Sequence, residues 1–350
     1  MEKNNKNQKL NENKILLSHG DGGLKTSELI NNIILKYFDN KILSKLEDCA
    51  VISGIENTKL AYTTDSFVVK PIFFPGGDIG KLCICGTIND LAASGAVPAV
   101  LSMGLIIEEG LEVNILEKIL ESAGKVLKES NTNIVTGDTK VVEKNSMDRI
   151  FINTSGIGFI KENVNISPAR IKPGDKILIN GSIAEHGLAV LSSRPEFSFK
   201  TNIVSDCAPL NSLIEDILKI SDKVHALRDA TRGGIATVLI ELSERSQTSF
   251  DVLEDKIPIK REVRSLCEFL GLDPLYIANE GKMLIFVDAS DADKVLSVMK
   301  KNKYGRDSCI MGEVTKNSEC GSVTYRTKIG TTRILDKFYS DSFQESADLL

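Results

Sequence analysis

Four aspartates stand where apolar runs meet polar residues: Asp48 before CAVIS, Asp65 closing LAYTTD, Asp90 inside the helical run IGKLCICGTINDLAASG, and Asp138 in VTGDTKVV. Aspartate is a poor helix-interior residue because it competes for backbone hydrogen bonds, and burying it unpartnered is costly. Acidic residues at strand ends beside glycine are where open α/β folds place ligand chemistry. Several such carboxylates in one half of a chain repel one another unless a divalent cation or a lysine neutralises them. Mg²⁺ takes oxygen ligands and usually bridges to substrate phosphates. Asp48, Asp65, Asp90 and Asp138 are therefore candidate Mg²⁺ ligands, against the plainer reading of each as a turn former or cap. Lys140, two residues beyond Asp138, falls on the same strand face.

Two glycine-rich turns add phosphate chemistry. SHGDGGLKTSELI feeds a helix through Gly20, Asp21, Gly22 and Gly23, and exposed backbone N–H groups at such a turn suit anions. It lacks the GKS/T ending of a P-loop. RDATRGGIATVL combines Asp229, Arg232 and a glycine pair opening a helix, an arrangement that either contacts phosphate or caps the helix. His19, His186 and His225 are catalytic candidates, although single histidines are more often structural. Cys83 and Cys85 are two apart on a helix and point about 200° from each other, so they read as core residues rather than a metal pair.

The elements that must position these groups alternate. Strands are expected over KLAYTTD, PAVLSMGLII, NIVTGDTKVV, DRIFINTSGIGFI, KILINGS, KMLIFVDA and CIMGEVT. Helices are expected over residues 78–94, 112–130, 185–192, 210–220, 233–246 and 290–301. SPARIKPGDK, with two prolines and a Gly-Asp pair, marks a boundary. The expected division is a disordered lead-in over 1–14, an N-terminal domain over 15–165, a C-terminal α/β domain over 166–335 and a mobile tail over 336–350. The net charge of −5 argues against a nucleic-acid binder. No stretch approaches the roughly 20 apolar residues of a membrane span. Seven scattered cysteines suit reduced thiols in the cytoplasm.

Taken together, SHGDGG, AYTTDSFVVKPIFFPGGDIGKLCICGTINDLAASGA, IVTGDTKVV, GSIAEHG, HALRDATRGG and YIANEGKM resemble the HypE hydrogenase expression/formation family, over about residues 14–335. HypE shares a superfamily with aminoimidazole ribonucleotide synthetase. The resemblance implies two mixed α/β domains of that fold and a homodimer through the N-terminal sheet. ATP and Mg²⁺ would lie in the cleft, partly across the dimer interface. Gly20, Asp21, Gly22, Gly23, Asp65, Asn89, Thr136, Asp229 and Arg232 would bind ATP and phosphate, and Asp48, Asp65, Asp90 and Asp138 would surround the metal. Lys140 and Glu280, the latter in ANEGK, would be catalytic, with Glu280 as the base; the plainer reading of Glu280 is a surface carboxylate paired with Lys282.

The implied reaction is ATP-dependent dehydration of a protein-bound thiocarbamate to a thiocyanate. A HypF-like carbamoyltransferase would supply the carbamoyl group, and a HypC–HypD-like complex would take the cyano group for the iron of a NiFe hydrogenase. The family's tail ends Pro-Arg-Ile-Cys, whereas these residues close on SADLL, with Cys320 the last cysteine, in a strand-like stretch. Either that tail follows, or the chain lacks the carrier thiol. The second case points to an ATP-binding scaffold or another small-molecule kinase or synthetase of the superfamily.

Overall fold

Asp78 opens the first long helix, α1 (Ile79–Ala93): its Oδ1 accepts from Gly80 N–H at 2.7 Å and Lys81 N–H at 3.1 Å. That satisfies two donors that a helix start leaves orphaned. Twelve of the helix residues are buried, on every side, as expected for a helix apolar all round. Cys83 and Cys85 are both fully buried. The computed structural model describes residues 14–16, 29–40, 59–197 and 200–336. His19, Gly20, Asp21, Gly22, Gly23, Asp48 and Cys49 lie outside the described residues, as do residues 1–13 and 337–350.

The first half is built on β1 (Lys59–Phe67), β2 (Val97–Glu108), β3 (Asn133–Val142) and β4 (Ile150–Ile160), in the order β1-β4-β2-β3. The parallel pair β2–β3 is linked by α2 (Val113–Ser130), whose apolar stripe of Leu116, Ile119, Leu120, Ala123 and Val126 is buried. Alternation assigns the sheet faces. Leu101, Met103, Leu105 and Ile107 are buried on the helix side, while Ile106 stays 43% exposed on the other.

The second half is a seven-stranded sheet of β5 (Lys176–Ile179), β6 (Val224–Asp229), β7 (Thr248–Leu253), β8 (Met283–Val287), β9 (Cys309–Asn317), β10 (Ser322–Arg326) and β11 (Thr332–Ile334). Its order is β11-β10-β7-β9-β5-β8-β6. Around it lie α3 (Glu185–Ser192), α4 (Asn211–Ile220), α5 (Gly234–Ser246), α6 (Arg261–Leu270) and α7 (Ala292–Met299). The expected helix over 290–301 is thus shorter. Strands β6, β7, β10 and β11 and helix α6 were not expected from the sequence. Cys320 is exposed in the bend between β9 and β10, not in a strand.

The halves share core. Ala92 of α1 packs with Leu210, Leu213 and Ile214 from the second half. Val190 and Cys207 pack among the residues of the first. Among the described residues, no helix is long and apolar enough to cross a membrane.

Candidate active site

A cleft of about 1270 Å³ runs between β1 and the loops of the second half, and Asp65, Asp90, Asp229, Arg232 and Glu280 all line it. Each arrives by a different route. Asp65 comes from the helix-facing side of β1, and Asp90 from the exposed margin of α1. Asp229 ends β6. Arg232 stands in the turn before α5, and Glu280 in the turn before β8. Gly234 makes that approach possible: its φ is +60°, and a Cβ there would stand 2.4 Å from Leu275 O. Helix α5 starts without a side-chain cap, leaving backbone N–H groups beside Thr231 and Arg232 suited to an anion.

The electrostatics are those of carboxylates crowded without enough counter-charge. Asp90 accepts from Thr63 Oγ1 at 2.8 Å, yet burial raises its pKa, and Asp65 adds to that. Asp229 is pushed up to about 6 by burial and then by Asp90. Burial raises Glu280 strongly, with Cys207, Asp229, Asp206 and Asp65 acting in the same direction. The Arg232 guanidinium stands 4.0 Å from Asp65 and is 94% exposed, free to swing onto an incoming anion. An all-oxygen donor set of this kind fits Mg²⁺ held by one or two carboxylates and substrate phosphates.

Register separates Thr136, Asp138 and Lys140 from this group. Cross-strand partners share a face. Asp65, Thr154, Met103 and Gly137 form one row on the helix side. Asp138 belongs to the row of Ser66, Asn153 and Gly104, Thr136 pairs with Ser102, and Lys140 pairs with Ile106. All three expected residues therefore project from the opposite face, on β3 at the far edge from β1 among the described strands. Asp138 does not surround a metal together with Asp65 and Asp90 within one copy of the chain. Alternation fixed that Asp138 and Lys140 share a face, but not which face.

Asn89 also departs from its expected phosphate contact. Its side chain is buried, donating to Ala208 O at 3.0 Å and Glu280 O at 3.3 Å, while its Oδ1 accepts from Leu210 N–H at 2.8 Å. It clasps the two halves together while its neighbour Asp90 faces the cleft. Lys282 does not pair with Glu280; it pairs with Asp206 at 2.9 Å. Sequence reading missed Asp206 altogether, because a single acid in SDCAPL carries no motif.

His186 lines the cleft, its Nδ1 2.9 Å from Ser205 Oγ and its ring edge-on to Phe74. Burial lowers its pKa to about 4, so it stays neutral at pH 7. His225 Nδ1 lies 2.8 Å from Asp175 Oδ2, in a buried pair outside the cleft. Asp175, His225 and Asp288 could present three metal-ligating atoms, but the Lys172 ammonium already sits 2.9 Å from Asp288.

Comparison with known proteins bears on this arrangement. The profiles of AIR synthase related protein match residues 46–160 for the N-terminal domain and 172–323 for the C-terminal domain. A putative hydrogenase expression/formation protein of Methanocaldococcus jannaschii is 44% identical over 329 residues, covering 92% of this chain and 96% of its own. Carbamoyl dehydratase HypE of Cupriavidus necator is 42% identical over 323 residues, covering 92% of each chain. The crystal structure of HypE in complex with ATP superposes with a TM-score of 0.89 at 43% identity, over 93% of this chain and 98% of that one. HypE in the HypE–HypF complex superposes with a TM-score of 0.77 at 49% identity, over 89% and 99%.

Proposed function

The chain belongs to the AIR synthase related family, in its HypE hydrogenase-maturation group, and from that premise we propose that it is an ATP-dependent carbamoyl dehydratase. It converts a protein-bound thiocarbamate to a thiocyanate and so provides the cyano ligand of a NiFe hydrogenase iron. The supporting observation is the convergence of Asp65, Asp90, Asp229, Arg232 and Glu280 on one cleft between the halves.

The chemistry follows from the leaving group. An amide oxygen leaves poorly; phosphorylated by ATP, it departs as phosphate. The carbon–oxygen bond breaks, the carbon–nitrogen bond becomes triple, and both amide protons go to bases. Thiocarbamate and ATP thus give thiocyanate, ADP and phosphate. Glu280, whose surroundings raise its proton affinity, takes a proton from the amide nitrogen. Arg232 and the uncapped start of α5 hold phosphate oxygens. Asp65, Asp90 and Asp229 would hold Mg²⁺, which supplies charge neutralisation at the transferring phosphoryl group.

The same reading includes a homodimer. Leu60, Tyr62 and Ile106 are exposed on the outer face of the first sheet, the face that also carries Thr136, Asp138 and Lys140. A second copy packed there is the arrangement by which Asp138 and Lys140 of one chain serve the cleft of the other. We assign residues 15–165 and 166–335 to the two domains, and a HypF-like carbamoyltransferase and a HypC–HypD-like complex as donor and acceptor partners. A cytoplasmic site agrees with six described cysteines that are all free.

Oxygen labelling tests the reaction. With ¹⁸O in the carbamoyl group, the label is expected in inorganic phosphate after one ATP turnover, with loss of one water from the mass of the carbamoylated protein. Label retained on the protein, or released into water, rules the phosphorylation route out.

A further inference from the structure

Glu280 is held from both sides of its backbone. On the amide side, Asp206 Oδ1 accepts from Glu280 N–H at 3.3 Å, and Oδ2 accepts from Gly281 N–H at 3.1 Å and the Lys282 ammonium at 2.9 Å. On the carbonyl side, Glu280 O accepts from Asn89 Nδ2 at 3.3 Å and from Ala208 N–H at 3.4 Å. Asp206 and Lys282 are 3% and 9% exposed. A buried ion pair is a poor way to gain stability, since apolar residues of similar volume often do as well. Among the described residues, all of the hydrogen bonds that the Asp206 side chain accepts come from residues 280–282.

Asp206 is itself anchored from the cleft wall. Ser205 N–H donates to Pro75 O at 2.8 Å, and Ser205 Oγ receives Cys207 N–H at 3.1 Å and meets His186 Nδ1 at 2.9 Å. A Cβ on Gly281 would stand 2.0 Å from Asp206 O, so the two backbones are in direct contact. We propose that Asp206 is the positioning residue of the dehydratase base: together with Lys282 it fixes the turn that carries Glu280 and places a permanent negative charge beside it. This rests on the reading of Glu280 as the base.

The charge has a consequence that a purely structural brace lacks. Asp206 stays ionised: burial works against it, but the Lys282 ammonium and the backbone donors hold it below the ordinary carboxylate range. Burial, then Cys207 and Asp229, raise the proton affinity of Glu280, and the ionised Asp206 adds to them.

Asp206→Asn in the full chain removes the charge and keeps one of the two acceptor oxygens, so either Glu280 N–H or Gly281 N–H retains its bond. In the carbamoyl-loaded protein, kcat is expected to fall at least about tenfold with KM for ATP unchanged. The acid limb of the kcat–pH profile is expected to move to lower pH. Asp206→Glu restores the limb. A folded Asp206→Asn protein with the original limb and kcat overturns the proposal. Should Asp206→Asn not fold, Asp206→Glu carries the test: the longer arm shifts the turn, so kcat falls with the limb in place, and an unchanged kcat overturns it. Glu280→Gln separates the two readings. Undiminished turnover in it strikes the base assignment and this proposal together. Abolished turnover beside an indifferent Asp206→Asn strikes this proposal alone.

Discussion

Replacing Gly281 by alanine tests the cleft at its tightest backbone contact. The added Cβ would lie 2.0 Å from Asp206 O, 3.0 Å from Asp206 C and 3.2 Å from Ala208 N. None of these is the free end of a side chain, so backbone must retreat by more than about 1 Å to reach ordinary contact. Overpacking of this kind costs about 1–3 kcal/mol. The retreat also stretches the bonds from Glu280 and Gly281 N–H to Asp206, now 3.3 and 3.1 Å, and moves Glu280. A displacement of about 1 Å in a reacting group can cost about a hundredfold in rate. Urea denaturation is therefore expected to show a loss of about 1–3 kcal/mol, and ATP-dependent dehydration a fall of about a hundredfold in kcat. Gly124→Ala is the matched control: its Cβ would meet only Tyr37 O at 3.6 Å, within α2, so a gain of about 0.5–1 kcal/mol is expected. A Gly281→Ala protein as stable and as active as the original would refute the contact and the placement of Glu280 drawn from it.

Other outcomes follow from the same geometry. Asn89→Ala leaves Leu210 N–H and Ala208 O without their partner and Glu280 O with only Ala208 N–H, and a loss of about 2–4 kcal/mol is expected in urea denaturation; a loss below about 1 kcal/mol would contradict the clasp. The folded pKa of Asp229, about 6 against 3.8, is raised. Its contribution to stability is thus fully present below about pH 3.8 and is lost as pH rises through about 6. In metal-free protein, Asp229→Asn is expected to gain up to about 3 kcal/mol over the original at pH 7.5 and little at pH 4; a difference that does not grow with pH would speak against the raised pKa. Thiol labelling without denaturant, read by peptide mass, should reach Cys320 rapidly and leave Cys83, Cys85 and Cys207 unmodified, since these three are buried and the thiols of Cys83 and Cys207 are pushed up by their surroundings.

Some of this was legible in the sequence and some was not, for identifiable reasons. Helix α2 carries a clean apolar stripe, and β4 carries β-branched residues between turn formers, so both stand where the pattern puts them. Strand β6 hides its period because Val224, His225, Ala226 and Leu227 are all buried in succession. Helix α6 buries only Val263 and Cys267, a narrow apolar stripe among Arg261, Glu262, Arg264 and Glu268 with little to announce it. The acids at strand ends identified the region of the cleft. Which of them meet depended on register and on strand order, neither of which is local. Asp206 reaches its partners across 74 to 76 residues of chain, and no spacing rule extends that far.

The Asn89–Asp90 pair on α1 also determines how the cleft can breathe. Asn89 is bolted to the opposite half by three hydrogen bonds, while Asp90, the next residue on a fully packed helix, forms part of the cleft floor. Any rotation that separated the halves there would break all three at about 1 kcal/mol each and drag Ala92 from its apolar neighbours. The floor is therefore the pivot rather than the gate. Arg232, 94% exposed, stands away from these bonds at the rim, which is the part of the cleft left able to move without breaking them.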